Sequence, residues 1–421
     1  MRTPGHRSGS WCRPTSGGAP LDAAFSLPVH GSTFAASRLR KKASVGVRLG
    51  FLSTFPSTQC GIATFCQALV SHLAAAGADA GVVRLVDERL PRTPPVVHEW
   101  VSGQTGGAAA AAAVLNTYDV AVIQHEYGIF GGPDGQDVLE VAALLRVPVI
   151  TVLHTVLTTP TPNQHRVLAA LVERSDAVVT MTETARDRLM AGWDVDPARV
   201  SVIAHGAEDN RLGVAPTRSG GARQRTVLTW GLLSQGKGIE WALLALADLR
   251  LRVPLPAYQI VGQTHPRVLE REGEAYRNRL VALTRELALT STVQFDSRYL
   301  SGPALRGVVR RADVILLPYD SKEQVTSGVL AEAVAAGKPV IATAFPHAVE
   351  LLSGGAGLLV PQRDPHALAA AVRQLLTEPG RAERMAATSR GLAASLAWPA
   401  VAQRYLALTR SLVRTRTSSV A

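Results

Sequence analysis

The chain has 421 residues and a formal net charge of +11 at pH 7, enough for two or three domains that each bury a core. Residues 1–44 carry seven basic groups against Asp22, so +6 of the charge sits there and +5 is left for the rest; a body this mildly basic argues against a nucleic-acid binder and suits an anionic substrate or contact with an anionic membrane surface. Three cysteines, Cys12, Cys60 and Cys66, exclude a disulfide scaffold, suit a reducing cytoplasm and supply no tetrahedral metal set, and no run reaches the ~20 apolar residues of a membrane span.

Residues 1–44 are rich in Gly, Ser, Pro and Arg, show no periodicity, and are expected to form a disordered basic extension, with translation starting near Val45 or Val47. From residue 45 the pattern is strand, glycine loop, helix. VGVRLGFLST predicts a strand, STQCGIATF a loop and CQALVSHLAAAG a helix closed by glycine. AGVVRLV, DVAVIQHE, VPVITVLHTV, DAVVTMT and VSVIAHG predict further strands, with helices at GGAAAAAAV and VLEVAALLRV. Runs this continuously apolar, separated by helices, indicate a parallel sheet covered on both faces.

GVAPTRSGGARQR, residues 213–225, breaks the pattern and reads as a linker. RTVLTWGLL, AYQIVGQ, TVQFDS, DVILLPYD and KPVIATA then predict a second parallel sheet. The expected organisation is an N-terminal doubly wound domain at 45–212, a second at 226–395, and a segment at 396–421 whose helix crosses back to the first. In such sheets ligands sit beyond the carboxyl ends of the strands, so the cleft between the halves is the natural site.

Several segments carry candidate chemistry. GLLSQGKG, residues 231–238, follows a strand and opens a helix, but it lacks the Ser or Thr after the lysine that holds magnesium in a phosphate-binding loop. Lys237 is one of only five lysines, and a compact charge on a glycine turn suggests phosphate contact. Two strands end in histidine, His125 (followed by Glu126) and His154, and Gly61 in CGIAT allows backbone to approach a ligand. In EQVTSGVLAEAVAAGKPV, the small residues Thr326, Ser327 and Gly328 leave a helix N-terminus bare for an anion. The HEYGIFGG loop and the GQTHPRVLEREGEAYR stretch, with His265 and Arg267, are expected to border the cleft.

Together these residues resemble the retaining glycosyltransferases of family 4, with the GT-B fold of two Rossmann-like domains facing across a cleft. EAVAAGKPV, from Glu332 to Val340, and AVELLSGGAGLLVP carry the most specific match, alongside Gly61, His154 and the Gly231–Gly238 turn. Two positions depart from the family pattern: Gln324 stands eight residues before Glu332 where a glutamate is usual, and Leu232 replaces the arginine of the glycine turn. The resemblance implies that Thr326, Ser327 and Gly328 offer N–H groups to a donor diphosphate and that Glu332 accepts from the ribose. It also implies that Lys237 neutralises the leaving group, that Gln324 meets sugar hydroxyls, and that His154 and Gly61 complete the cleft. Arg298 stands in for the missing arginine, and His125 and Glu126 lie on the acceptor side. The implied partners are a nucleotide-sugar donor and a carbohydrate or glycolipid acceptor, in the cytoplasm or at the inner membrane face, with neither metal nor cofactor. Alternatives are a sugar-nucleotide epimerase or phosphorylase of the same fold, a phosphate-loop NTPase, or a non-catalytic sugar-nucleotide binder.

Overall fold

The computed structural model describes residues 46–211, 224–250 and 253–420, and from Gly46 onward the chain forms one unit. The extension expected at 1–44 and most of the linker expected at 213–225 lie outside the described residues. Seven strands build the first sheet: β1 Arg48–Ser53, β2 Asp79–Val86, β3 Val96–Val101, β4 Val120–His125, β5 Val149–Leu153, β6 Ala177–Thr180 and β7 Val200–Val202. Six build the second: β8 Thr226–Trp230, β9 Ala257–Val261, β10 Val293–Asp296, β11 Val314–Leu317, β12 Val340–Thr343 and β13 Gly357–Val360.

Every pairing is parallel, in the orders β3-β2-β1-β4-β5-β6-β7 and β10-β9-β8-β11-β12-β13. Two strands went unread in the sequence, β3 (VVHEWV) and β13 (GLLV), and both are edge strands. β3 keeps His98 and Glu99, as a less covered edge strand does, and β13 is only four residues long, too short for its apolar run to stand out from the loop before it. The fold is GT-B, two doubly wound parallel-sheet lobes.

Each order reverses once, between β1 and β4 in the first lobe and between β8 and β11 in the second. Connections leave those neighbours in opposite directions, which opens a crevice at the carboxyl edge of each sheet. One face of the first sheet packs on the helix Gly61–Ala75 and on the helix Trp398–Val420, through Phe65, Leu69, Trp398, Val401 and Tyr405. Gly206 lies flat on the Trp398 indole, where an added Cβ would come within 2.1 Å of the ring. The C-terminal helix is thus bolted to the first lobe just where the chain leaves it. No helix among the described residues is long and apolar enough to cross a membrane.

Candidate active site

The second-lobe crevice is built on glycines that cannot be replaced. Gly262, after β9, has φ 136°, and an added Cβ would sit 2.0 Å from the Gly231 carbonyl oxygen, so the loops after β8 and β9 pack backbone on backbone. Gly238 is left-handed, φ 58°, with an added Cβ 2.1 Å from the Pro318 oxygen. This contact clamps the Gly231–Gly238 turn against the segment after β11, and Asp320 N–H donates to the Gly236 oxygen at 3.0 Å. Lys237 Nζ consequently lies 4.0 Å above the centroid of the Tyr319 ring, which is buried and stacked on Phe345.

The same clamp removes the phosphate-loop alternative, since residue 238 has neither a hydroxyl nor room for one. Gly238→Ser is expected to destabilise the fold by about 2 kcal/mol or more without creating magnesium-dependent ATP binding. A stable variant that gained such binding in a melting assay would reinstate that alternative.

The helix Gly328–Ala335 comes up to the start of the same turn, where a Cβ added at Gly231 would lie 3.6 Å from Val329 Cγ2. Ser327 caps it, its hydroxyl accepting from Leu330 N–H at 3.3 Å. The expectation that Ser327 offers its N–H to a phosphate needs correction: that N–H donates to Nδ1 of buried His347 at 2.8 Å. Burial holds the His347 imidazole neutral, its pKa lowered to about 3, as this acceptor role requires. The first-turn N–H groups of Gly328 and Val329 have no carbonyl acceptor within the helix and are the donors left at its N-terminus. Thr326 Oγ1 is a buried hydroxyl with no partner in the protein, so Thr326 is placed with a vacant hydrogen bond beside them. Gly328 also makes room for a residue the sequence reading passed over: an added Cβ would lie 2.8 Å from Nε2 of His205, which belongs to the other lobe.

Glu332, one turn into this helix, is half-buried beside Trp230, which hydrogen-bonds its carboxylate. Burial pushes its carboxyl up to about 7. Gln324 turns its amide to the Thr326 oxygen at 2.8 Å and its own carbonyl accepts from His347 N–H at 3.3 Å, so it braces the loop ahead of the helix. Its neighbour Glu323 does different work. It accepts from Thr158 N–H at 2.9 Å, from the Thr158 hydroxyl and from Arg188 at 3.0 Å, all first-lobe groups.

Three further contacts join the lobes. Glu350 caps the first-lobe helix Glu183–Gly192, accepting from Glu183 and Thr184 N–H at 2.9 Å each. Gln263 reaches Gln59 at 2.6 Å, and Arg267 donates to the Gly128 oxygen at 3.2 Å. The last contact brings the stretch after β9 onto the loop after β4.

In the first lobe, His154 follows β5 with its ring edge-on to Phe65, centroids 5.0 Å apart. Burial and the His205 and His125 imidazoles lower its pKa to about 3, so it is neutral. Phe65 also meets His205 at 4.9 Å, which ties the two cleft histidines to one ring. Gly61 opens the helix Gly61–Ala75, and an added Cβ there would touch nothing within 4 Å.

Three expectations are corrected by position. His125 is fully buried between Tyr127 and Phe130, ring centroids at 5.0 and 6.4 Å, and neither of its nitrogens has a partner. It belongs to the core face of β4 and not to an acceptor site. Glu126 has its carboxylate taken by Tyr127 N–H, at 3.0 Å, and by the Thr155 hydroxyl; it staples the loop after β4 to the end of β5. Arg298 pairs bidentately with Asp296, at 2.9 and 2.6 Å, with its side chain 76% exposed. Asp296 ends β10, an edge strand two places from β8, so the guanidinium is not delivered to the crevice.

An Asp-x-Asp triplet, Asp194–Asp196, does occur in the chain. It precedes β7 at the amino edge of the first sheet, away from both crevices, and Asp196 caps the turn Pro197–Arg199 by accepting from Ala198 N–H at 2.9 Å. Among the described residues, no three His, Cys, Asp or Glu side chains gather in a group that could hold a metal.

Two family models match successive parts of the chain: "Glycosyltransferase Family 4" over residues 60–211 and "Glycosyl transferases group 1" over residues 224–378. A D-inositol 3-phosphate glycosyltransferase of Kineococcus radiotolerans is 29% identical over 58% of this chain and 59% of its own length. A glycogen synthase of Mycobacterium tuberculosis is 30% identical over 58% of each. The matches thus span less than two thirds of these curated relatives. Among solved structures, Anabaena Alr3699/HepE in complex with UDP and glucose superposes with a TM-score of 0.69 at 18% identity, covering 87% of this chain and 100% of that one. Sucrose-phosphate synthase from Thermosynechococcus elongatus gives 0.69 at 20% identity, covering 88% and 100%.

Proposed function

Because the chain belongs to the GT-B glycosyltransferases of the family 4, group 1 type, we propose that it transfers a sugar from a nucleoside-diphosphate sugar to a carbohydrate or glycolipid acceptor, with retention and without a divalent ion. The observation that carries this reading is the placement of Lys237. Its ammonium rests over the buried Tyr319 ring after β11, on a glycine turn whose first residue, Gly231, lies against Val329 in the first turn of the helix Gly328–Ala335.

A diphosphate in this crevice would meet Lys237 on one side and the N–H groups of Gly328 and Val329 on the other. As the bond to the anomeric carbon breaks, negative charge grows on the departing diphosphate, and these preset dipoles and the ammonium stabilise it without reorganising. Glu332 would accept from the ribose hydroxyls. Gln324 would meet the sugar as a neutral hydrogen-bonding group, and His154 would approach it from the first lobe. The interlobe contacts of Glu323 and Glu350 hold the cleft shut against water, which would otherwise hydrolyse the donor. The acceptor is reached from the first-lobe side, between the loop after β4 and the segment around Arg267.

The test is a set of melts of the full chain with UDP, GDP, ADP or ATP, each with magnesium and with EDTA, followed by turnover of the matching sugar nucleotide. A ligand at a hundred times its Kd adds about 2.7 kcal/mol. UDP is the first nucleotide to try, since the HepE structure holds it. Stabilisation by one diphosphate, unchanged by EDTA, is the expected result. Strict dependence on magnesium would overturn the metal-free mechanism, and stabilisation without any turnover would reduce the protein to a binder.

A further inference from the structure

The geometry points to Gln124 as a positioning residue that orients His154 and sets which of its nitrogens carries the proton. Gln124 is fully buried near the end of β4, paired in register with Val152 of β5 two residues before His154. Side chains alternate along a strand, so Gln124 shares the sheet face of Val120 and Val122, which pack with Phe65, while His125 points to the opposite face. On that shared face Gln124 Oε1 lies 2.7 Å from His154 Nε2. An amide oxygen only accepts, so Nε2 carries the proton and Nδ1 is left as a lone pair.

Two observations make this more than packing. His154 is partly exposed and Nδ1 has no partner in the protein, whereas Nε2 is taken by the glutamine. Gln124 pays for this arrangement, because its own Nε2 is buried with no partner. A leucine would fill the position without stranding a donor, so the benefit of the amide lies at the histidine. With the Phe65 edge on one side and Gln124 on the other, the imidazole has one orientation. It presents a neutral acceptor toward the cleft, suited to a hydroxyl of the transferred sugar. That last step rests on the glycosyltransferase reading; the orientation of the ring does not.

The experiment therefore reads the ring first. Histidine-selective 15N labelling of the full chain, assigned with His154→Ala, should show a ring proton on Nε2 of His154 that exchanges slowly with solvent. Gln124→Leu should abolish that protection, while Gln124→Glu, which keeps an acceptor, should retain it and raise the pH at which His154 titrates. In turnover, Gln124→Leu should lower kcat on the order of tenfold with the nucleotide KM unchanged, and Gln124→Glu should recover part of it. A proton found on Nδ1, or an Nε2 proton equally protected in Gln124→Leu, would overturn the assignment. Should Gln124→Leu fail to fold, Gln124→Met tests the same loss of the acceptor at similar volume. If no donor is ever turned over, the ring spectra still decide the role of Gln124, so the two readings fail separately.

Discussion

Replacing Lys237 by methionine is expected to lower the rate of sugar transfer roughly 10²–10³-fold, the usual loss when one preset charge-stabilising donor is removed. The stem keeps its packing over Tyr319 and the fold forgoes only a cation–π contact, worth about 0.5–2 kcal/mol. The loss should therefore fall on kcat and be much larger than any change in melting temperature, because the ammonium answers charge that appears only as the diphosphate departs. Lys237→Arg should restore little. The guanidinium is broader than the ammonium, and the Gly238–Pro318 contact fixes how far the turn can shift to admit it. Steady-state kinetics with the donor found in the melts provide the check. A variant that raised only the nucleotide KM would show that Lys237 binds the ground state and does not act on the leaving group.

Glu332→Gln is expected to stabilise the ligand-free protein and, at the same time, to weaken donor binding, because the amide oxygen is a poorer acceptor than a carboxylate. A glutamate titrates near 4.5, and burial beside Trp230 pushes Glu332 up to about 7. Between those values the folded protein holds a proton that the unfolded chain has released, so this group favours the fold most below about 4.5. Its contribution is lost as the pH rises through 7, where the buried carboxylate must ionise. At pH 8 glutamine removes that cost, on the order of 2 kcal/mol, and at pH 5, where Glu332 is protonated, the two proteins should melt nearly alike.

Function runs the other way. Ribose hydroxyls need the ionised carboxylate as acceptor, so the donor KM of the native protein should rise toward tenfold per pH unit below 7 and stay flat for Glu332→Gln. Melts at pH 5 and pH 8 with and without nucleotide measure both halves. A glutamine variant that binds nucleotide like the native chain would remove Glu332 from the ribose.

Much of the second lobe was legible because its chemistry is local. A turn of glycines around one lysine, and a helix opened by Thr-Ser-Gly with an acid one turn later, are covalently close, and their spacing alone places them at strand ends. Errors arose where one residue of register or one place in strand order decides the outcome. Gln124 and His125 are neighbours, yet the pleat sends one toward His154 and the other into the opposite core. The histidine attracted the acceptor-side reading and the glutamine held the position. Arg298 follows its strand as Lys237 follows β8, but β10 lies at the sheet edge, so the arginine ends in solvent beside Asp296.

Apolar runs, glycine turns and a helix start are written in consecutive residues, so the two parallel lobes, the central strands and the glycine–lysine turn could be read from the chain alone. Which groups meet across the lobes emerges only in the folded chain. His205 came to Gly328, Glu350 to the helix at Glu183, and Glu323 to Thr158 and Arg188, pairs separated by more than a hundred residues. Such contacts depend on strand order and on how the lobes dock, and neither quantity leaves a period in the chain. The displaced acid at 323 shows the difference most directly: by spacing it is a sugar-binding glutamate out of place by one, and in the fold it is the clamp that holds the loop bearing Gln324 against the first lobe.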